Sequence, residues 1–201
     1  MSDGGITLER QIFSGLPQVA EILALPSTAR RYVFEEGVPK YFFYRVYSAD
    51  PTLSVVHVGG RSPLVRFGAD SSGILVLDVP TGNVLHVNDI RQLRVSFVNA
   101  TLGKFTETAR LLAEQFPYGA RDWFHDAKKA ADAIDAIVYS VDAEAARPGA
   151  YWPDFAREIG GLMYGLDEIL KWHEVKMLSS AADGVEGLEQ RHIDDVVDRL
   201  F

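Results

Sequence analysis

Apolar and polar residues change period about halfway along the 201-residue chain. Tyr41–Tyr47 (YFFYRVY) and Leu53–Val58 (LSVVHV) are β-branched or aromatic runs, and the Asp50-Pro51 pair between them predicts a turn. Leu64–Ala69 alternates, with Val65 and Phe67 on one side and Leu64 and Arg66 on the other. Asp70-Ser-Ser-Gly73 is hairpin-loop chemistry, because glycine reaches positive φ at low cost. Ile74–Val79 is apolar in both phases, as a central strand covered on both sides must be. Pro80–Asn83 turns the chain into Val84–Val87, and Val95 with Phe97 predicts one more strand.

From Leu102 the period lengthens. Leu102, Phe105, Ala109, Leu112 and Phe116 recur at three- and four-residue steps, which predicts an amphipathic helix ended by Pro117. Trp123, Ala127, Ala130, Ile134, Ile137, Val141 and Ala145 continue that spacing to Arg147-Pro148-Gly149. A short helix with Trp152, Phe155 and Ile159 follows, then a Gly160-Gly161 break and helical patterns over 166–178 and 188–200. Upstream, a helix over 28–36 is predicted with Ser27 as N-cap and Gly37 as its stop, after a shorter one near 18–23. The sum is an α+β fold: an antiparallel, mostly meander sheet with helices packed mainly after and around it. Residues 1–160 read as one domain, and 161–201 as a helical, acidic extension.

Composition narrows the functions. The chain has 47% hydrophobic residues, 11% aromatic and no cysteine, so disulfides and thiolate chemistry are ruled out. No apolar run reaches membrane-spanning length, and MSDGGITLERQ lacks the pattern of a secretory leader. A cytoplasmic location is the expectation. Net charge is −8, and residues 183–201 alone hold six acids against two arginines. That balance disfavours direct nucleic-acid contact and suits a basic protein partner, though acidity also simply keeps proteins in solution.

Candidate chemistry is sparse. None of the five histidines has an i,i+4 partner for zinc, and each reads as surface or half-buried. Carboxylate pairs such as Asp132 with Asp135 and Asp194 with Asp198 fit a solvated helix face better than a glycosidase cleft. Gly59-Gly60 lacks the rest of a dinucleotide loop, and Ser71-Ser72 has no G-x-S-x-G context. No metal or cofactor is expected, and a binding module is favoured over an enzyme. Trp123 and Trp152 lie on core stripes, whereas Trp172 is less clearly patterned and is a candidate interface anchor. Tyr41 and Tyr47 join it as candidate contacts, since a strand with aromatics in both phases must cover or use both. Asp194, Asp195 and Asp198 are candidates through charge. Asn99 or Thr101 is expected to cap the 102–116 helix.

Four segments together carry a family resemblance. LPSTARRYVFEEGVPKYF (25–42), LVRFGADSSGILVLDVPTGNVLHVN (64–88), FVNATLGKF (97–105) and YWPDFAREI (151–159) resemble, in order and spacing, the SUKH superfamily and its fourth family of bacterial immunity proteins. The resemblance covers about residues 16–160 and implies a partner-binding α+β domain without catalytic residues. It further implies a cognate polymorphic-toxin domain as partner, of a nuclease or deaminase kind that tends to be basic. A regulatory or scaffolding module of the same fold, without a toxin, is the alternative. A hydrolase built on helix carboxylates is a third and weaker reading.

Overall fold

The computed structural model describes residues 8–13, 19–42, 47–88, 94–115 and 127–158. The chain divides into Met1–Leu162 and Met163–Phe201, and every described residue falls in the first unit. The proposed boundary region and the helical patterns over 166–178 and 188–200 lie outside the described residues.

A small two-stranded sheet pairs β1 (Arg10–Gln11) with β2 (Val38–Pro39). Between them come α1 (Ala20–Leu23), α2 (Ser27–Arg31) and a π-helical turn over Tyr32–Glu36. Ser27 is not the N-cap expected for this helix. Pro26 occupies that position, no side chain caps the end, and Ser27 lies inside the first turn. Gly37 closes the segment as expected, at φ +80°, a conformation only glycine adopts without strain.

The main sheet is a six-stranded antiparallel meander in chain order. Its strands are β3 (Tyr41–Phe42), β4 (Tyr47–Val56), β5 (Leu64–Asp70), β6 (Gly73–Asp78), β7 (Val84–Asn88) and β8 (Arg94–Asn99). Asp50-Pro51 is not a turn. It lies inside β4, where the β4–β5 register shifts between Ala49 and Ser54. The described part of β3 pairs only with Tyr47 and Ser48, so Pro51 sits where the missing N–H costs no ladder bond. Asp50 instead receives Arg66 Nε and Nη2 at 2.6 and 3.0 Å, a two-pronged ion pair across the irregular ladder.

Leu75, Val76 and Leu77 in β6 are each 1% exposed or less, so both faces of this strand are covered, as its unbroken apolar run requires. On one face Tyr47, Phe67 and Phe105 meet at ring distances of 5.4 to 6.4 Å, Phe105 edge-on to the other two, and Phe105 passes the contact on to Trp152. Leu64, Val76 and Val87 form a second cluster on the other face. α3 (Leu102–Gln115) and helical residues 151–158, here α5, reach the first face through Phe105 and Trp152, and α4 (Ala127–Val141) packs against α3. Phe116, Pro117 and Trp123 lie outside the described residues.

The strand-to-helix junction explains FVNATL. Thr101 caps α3, its hydroxyl accepting the Lys104 amide at 3.2 Å. Asn99 does not cap. Fully buried, it accepts the Trp152 indole N–H at 3.1 Å and points its amide at Asp142 at 3.4 Å. Asp142, just after α4, also accepts the Ala100 amide at 2.7 Å and Lys104 Nζ at 3.1 Å. Three helices are thus tied to the end of β8 through one asparagine and one aspartate.

Candidate functional site

The described residues form an open cleft of about 210 Å³ between the β5–β6 hairpin, the β7–β8 ladder and α5. Its floor is a buried polar cluster centred on Asp70. The Asp70 side chain is 2% exposed and that of His86 6%. Asp70 Oδ1 accepts the amides of Ser72 and Gly73, both at 2.8 Å, which makes the hairpin loop. The same oxygen receives the Ser72 hydroxyl at 2.9 Å and lies 3.1 Å from His86 Nε2. Its other oxygen accepts the Tyr151 hydroxyl from α5 at 2.8 Å.

These contacts settle the electrostatics. Burial alone pushes the Asp70 carboxyl up, but the donors from His86, Tyr151 and the Ser72 amide outweigh it and hold the group below its ordinary range. Tyr151 moves the opposite way. Burial and the adjacent Asp70 charge push its phenol well above the usual tyrosine value. Gly73 is required for this packing, since a Cβ there would lie 2.2 Å from the Val87 carbonyl oxygen and 2.9 Å from His86 Nε2.

Serine, histidine and aspartate in one cluster invite comparison with a hydrolytic triad, and the geometry is different. Ser72 Oγ and Asp70 Oδ1 both approach His86 Nε2, at 3.3 and 3.1 Å. A triad needs the serine on one ring nitrogen and the carboxylate on the other. Here one nitrogen cannot at once accept from Ser72 and donate to Asp70, and the Ser72 proton is already directed at Asp70. The cluster is arranged to hold a hairpin against a helix.

The rim carries charge. Asp154 is shared by Arg94 at 3.2 Å and Arg157 at 3.0 Å, both largely exposed. Glu158 is exposed and makes no hydrogen bond or ion pair among the described residues. No group of three or more metal-ligating side chains occurs among the described residues, and no described helix is long and apolar enough to cross a membrane.

A model of the SUKH-4 immunity protein family matches residues 11–158. The chain belongs to that family. The match spans well over half of the 201 residues and includes every strand of the meander, the FVNATL junction and α5. SUKH-4 membership brings with it a role in toxin immunity and a cognate toxin as partner. No curated protein and no solved structure matches the chain significantly.

Of the residues expected to touch a partner, the SUKH-4 domain's described residues include Tyr41 and Tyr47. Tyr47 is a correction: it is fully buried, packed between Phe67 and Phe105, and has no surface to offer. Tyr41 is half-buried, and its hydroxyl donates to Glu9 at 3.0 Å. Trp172, Asp194, Asp195 and Asp198 lie outside the described residues. His86 was expected at or near the surface and is instead 5% exposed. The signal for it was available, because His86 shares the inward phase of β7 with Val84. Asp70 looked like a loop residue; its partner Tyr151 is 81 positions away, beyond the reach of local pattern.

Proposed function

We propose that this SUKH-4 protein neutralises a cognate bacterial polymorphic toxin, of nuclease or deaminase type, by stoichiometric binding in the cytoplasm. The family match over residues 11–158 carries the reading. The net charge of −8 supports a basic toxin domain, which an acidic partner meets faster and with less dependence on exact approach. The Asp70 cluster adds to it, since a serine and a histidine locked to one carboxylate serve rigidity rather than turnover.

In this reading residues 1–160 form the binding domain and 161–201 an acidic extension to it. Trp172, Asp194, Asp195, Asp198 and Tyr41 are its proposed contacts, and nucleic acid is not a direct partner. The test is co-expression with the toxin domain encoded beside the gene. Growth should be restored by the wild-type protein and impaired again when Asp194, Asp195 and Asp198 are reversed to lysine. Persistent growth arrest despite abundant folded protein would remove the pairing.

A further inference from the structure

The helices of this domain differ in what they show to water. α3 turns Glu107, Arg110 and Glu114 outward, joined in ion pairs, and α5 shows Asp154, Arg157 and Glu158. α4 departs from that pattern. Ala130, Ile134 and Val138 point inward and are 1% exposed or less, whereas Asp132, Asp135, Ala136, Tyr139 and Ser140 are exposed. From Ala136 to Ala143 the only charged residue is Asp142, which is buried and engaged by Asn99, the Ala100 amide and Lys104. The solvent side of α4 is therefore free of charge over two turns, about 10 Å of helix.

Tyr139 stands in the middle of this stretch. It is 67% exposed, the most exposed large apolar side chain among the described residues. One exposed aromatic by itself is ordinary. Its setting is not, because the outer face of a helix normally carries charge. A helical side chain leans toward the N-terminus, so Tyr139 projects over the turn of Asp135 and Ala136, and alanine is too small to cover it. Ala143, exposed one turn on, leaves the other side equally open. The polar neighbour Ser140 donates its hydroxyl to the Ile137 carbonyl at 2.7 Å and needs no outside partner. An aromatic anchor on low relief, with charge kept to the edge, is the composition of an interface core.

The edge decides what fits. Asp132, Asp135 and Glu144 outnumber Lys129 and Arg147 around the stretch, and Arg147 is already paired with Glu144 at 2.6 Å. A second copy would meet this rim with the same excess of acid, on a chain of net charge −8, which disfavours self-pairing. A partner with a basic rim meets it with complementary charge. We propose that the charge-free side of α4, centred on Tyr139, is the core of the contact with the toxin domain, which presents an apolar surface rimmed by lysine or arginine. That the occupant is a toxin rests on the immunity reading.

Calorimetric titration of the full-length protein into the toxin domain encoded beside its gene tests this, with toxin activity measured in the same samples. Tyr139→Ala should weaken binding at least about thirtyfold, as loss of an aromatic anchor at an interface centre does. Ala136→Arg sets a bulky charge beside that ring and should weaken binding at least as far. Glu107→Ala on α3 should leave it within about twofold. All three positions face outward, so urea unfolding of the variants should match wild type. Binding by both α4 variants as tight as that of wild type would overturn the α4 surface, while immunity stands if wild type still silences the toxin. Binding lost in the variants, with wild type binding but not silencing the toxin, keeps the surface and removes neutralisation. No binding by wild type removes both. A wild-type dimer in sedimentation that Ala136→Arg makes monomeric would reassign the face to a second copy and overturn the toxin contact.

Discussion

Replacing Asp70 by asparagine isolates the charge at the centre of the Asp70–His86–Tyr151 cluster. Asparagine keeps an oxygen for the Ser72 and Gly73 amides, so the loop they define persists. Its NH₂ now faces the Tyr151 hydroxyl, which must rotate to accept rather than donate, and the His86 bond loses its ionic acceptor. Hydrogen bonds to a charged group contribute about 1.5–3 kcal/mol and neutral ones about 0.5–1.5. Two side-chain bonds downgraded by about 1–1.5 kcal/mol each give a loss of about 2–3 kcal/mol at pH 7. At roughly 2–4 °C per kcal/mol for a chain of this size, the melting temperature drops by about 4–12 °C.

The pH dependence gives a sharper signature than the magnitude. Asp70 is depressed in the folded state, so its stabilising share is fully present above the unfolded value near 4 and disappears as pH falls through the lower folded value. Asparagine has no proton to gain there. Urea unfolding followed by tryptophan fluorescence should therefore show a wide gap between wild type and Asp70→Asn at pH 7 that narrows steadily below pH 4. A gap that stays constant down to pH 3, or is under about 0.5 kcal/mol at pH 7, would refute the assignment of Asp70 as the charged hub.

Other substitutions test neighbouring parts of the account. Tyr151→Phe should cost about 1–2 kcal/mol at pH 7. Because Tyr151 is raised in the fold, wild-type stability should decline as pH climbs past about 10, and part of that decline should be missing from the phenylalanine variant in alkaline denaturation. Asp142→Ala strands the buried Asn99 amide and the Ala100 N–H, and should lose about 2–4 kcal/mol by chemical denaturation. Lys104→Ala should lose under about 1 kcal/mol, since that lysine is 43% exposed. Gly73→Ala should lose about 3 kcal/mol, with the Val87 carbonyl in its way. Gly60→Ala, at φ +72° but with nothing within 4 Å, should lose only about 1 kcal/mol, both glycine variants being read by urea unfolding.

Much of the domain was legible from local pattern, and the failures share one cause. The meander, its turns at Asp70–Gly73 and Pro80–Asn83 and the start of α3 follow from alternation, turn chemistry and three-four spacing, all encoded within a few residues. Asp50-Pro51 was misjudged because the dipeptide that favours a turn is also tolerated where a ladder is irregular and an edge is open. Of the two cap candidates Thr101 takes the role, and Asn99 is drawn inward by partners, Trp152 and Asp142, that lie 53 and 43 residues downstream. His86 and Asp70 show the same limit: alternation marks His86 as inward, but no local signal announces Tyr151 as the third member. Tyr47 looked available in an aromatic strand, and only the arrival of Phe105 from α3 buries it.

Neutralisation by one-to-one binding has a calorimetric signature. Purified full-length protein titrated into the toxin domain encoded beside its gene should bind with a stoichiometry near one, and toxin activity in the same samples should vanish at one equivalent. Undetectable binding at micromolar concentrations would contradict the account. So would loss of toxin activity at a small fraction of an equivalent, which would mark a catalyst rather than a stoichiometric inhibitor.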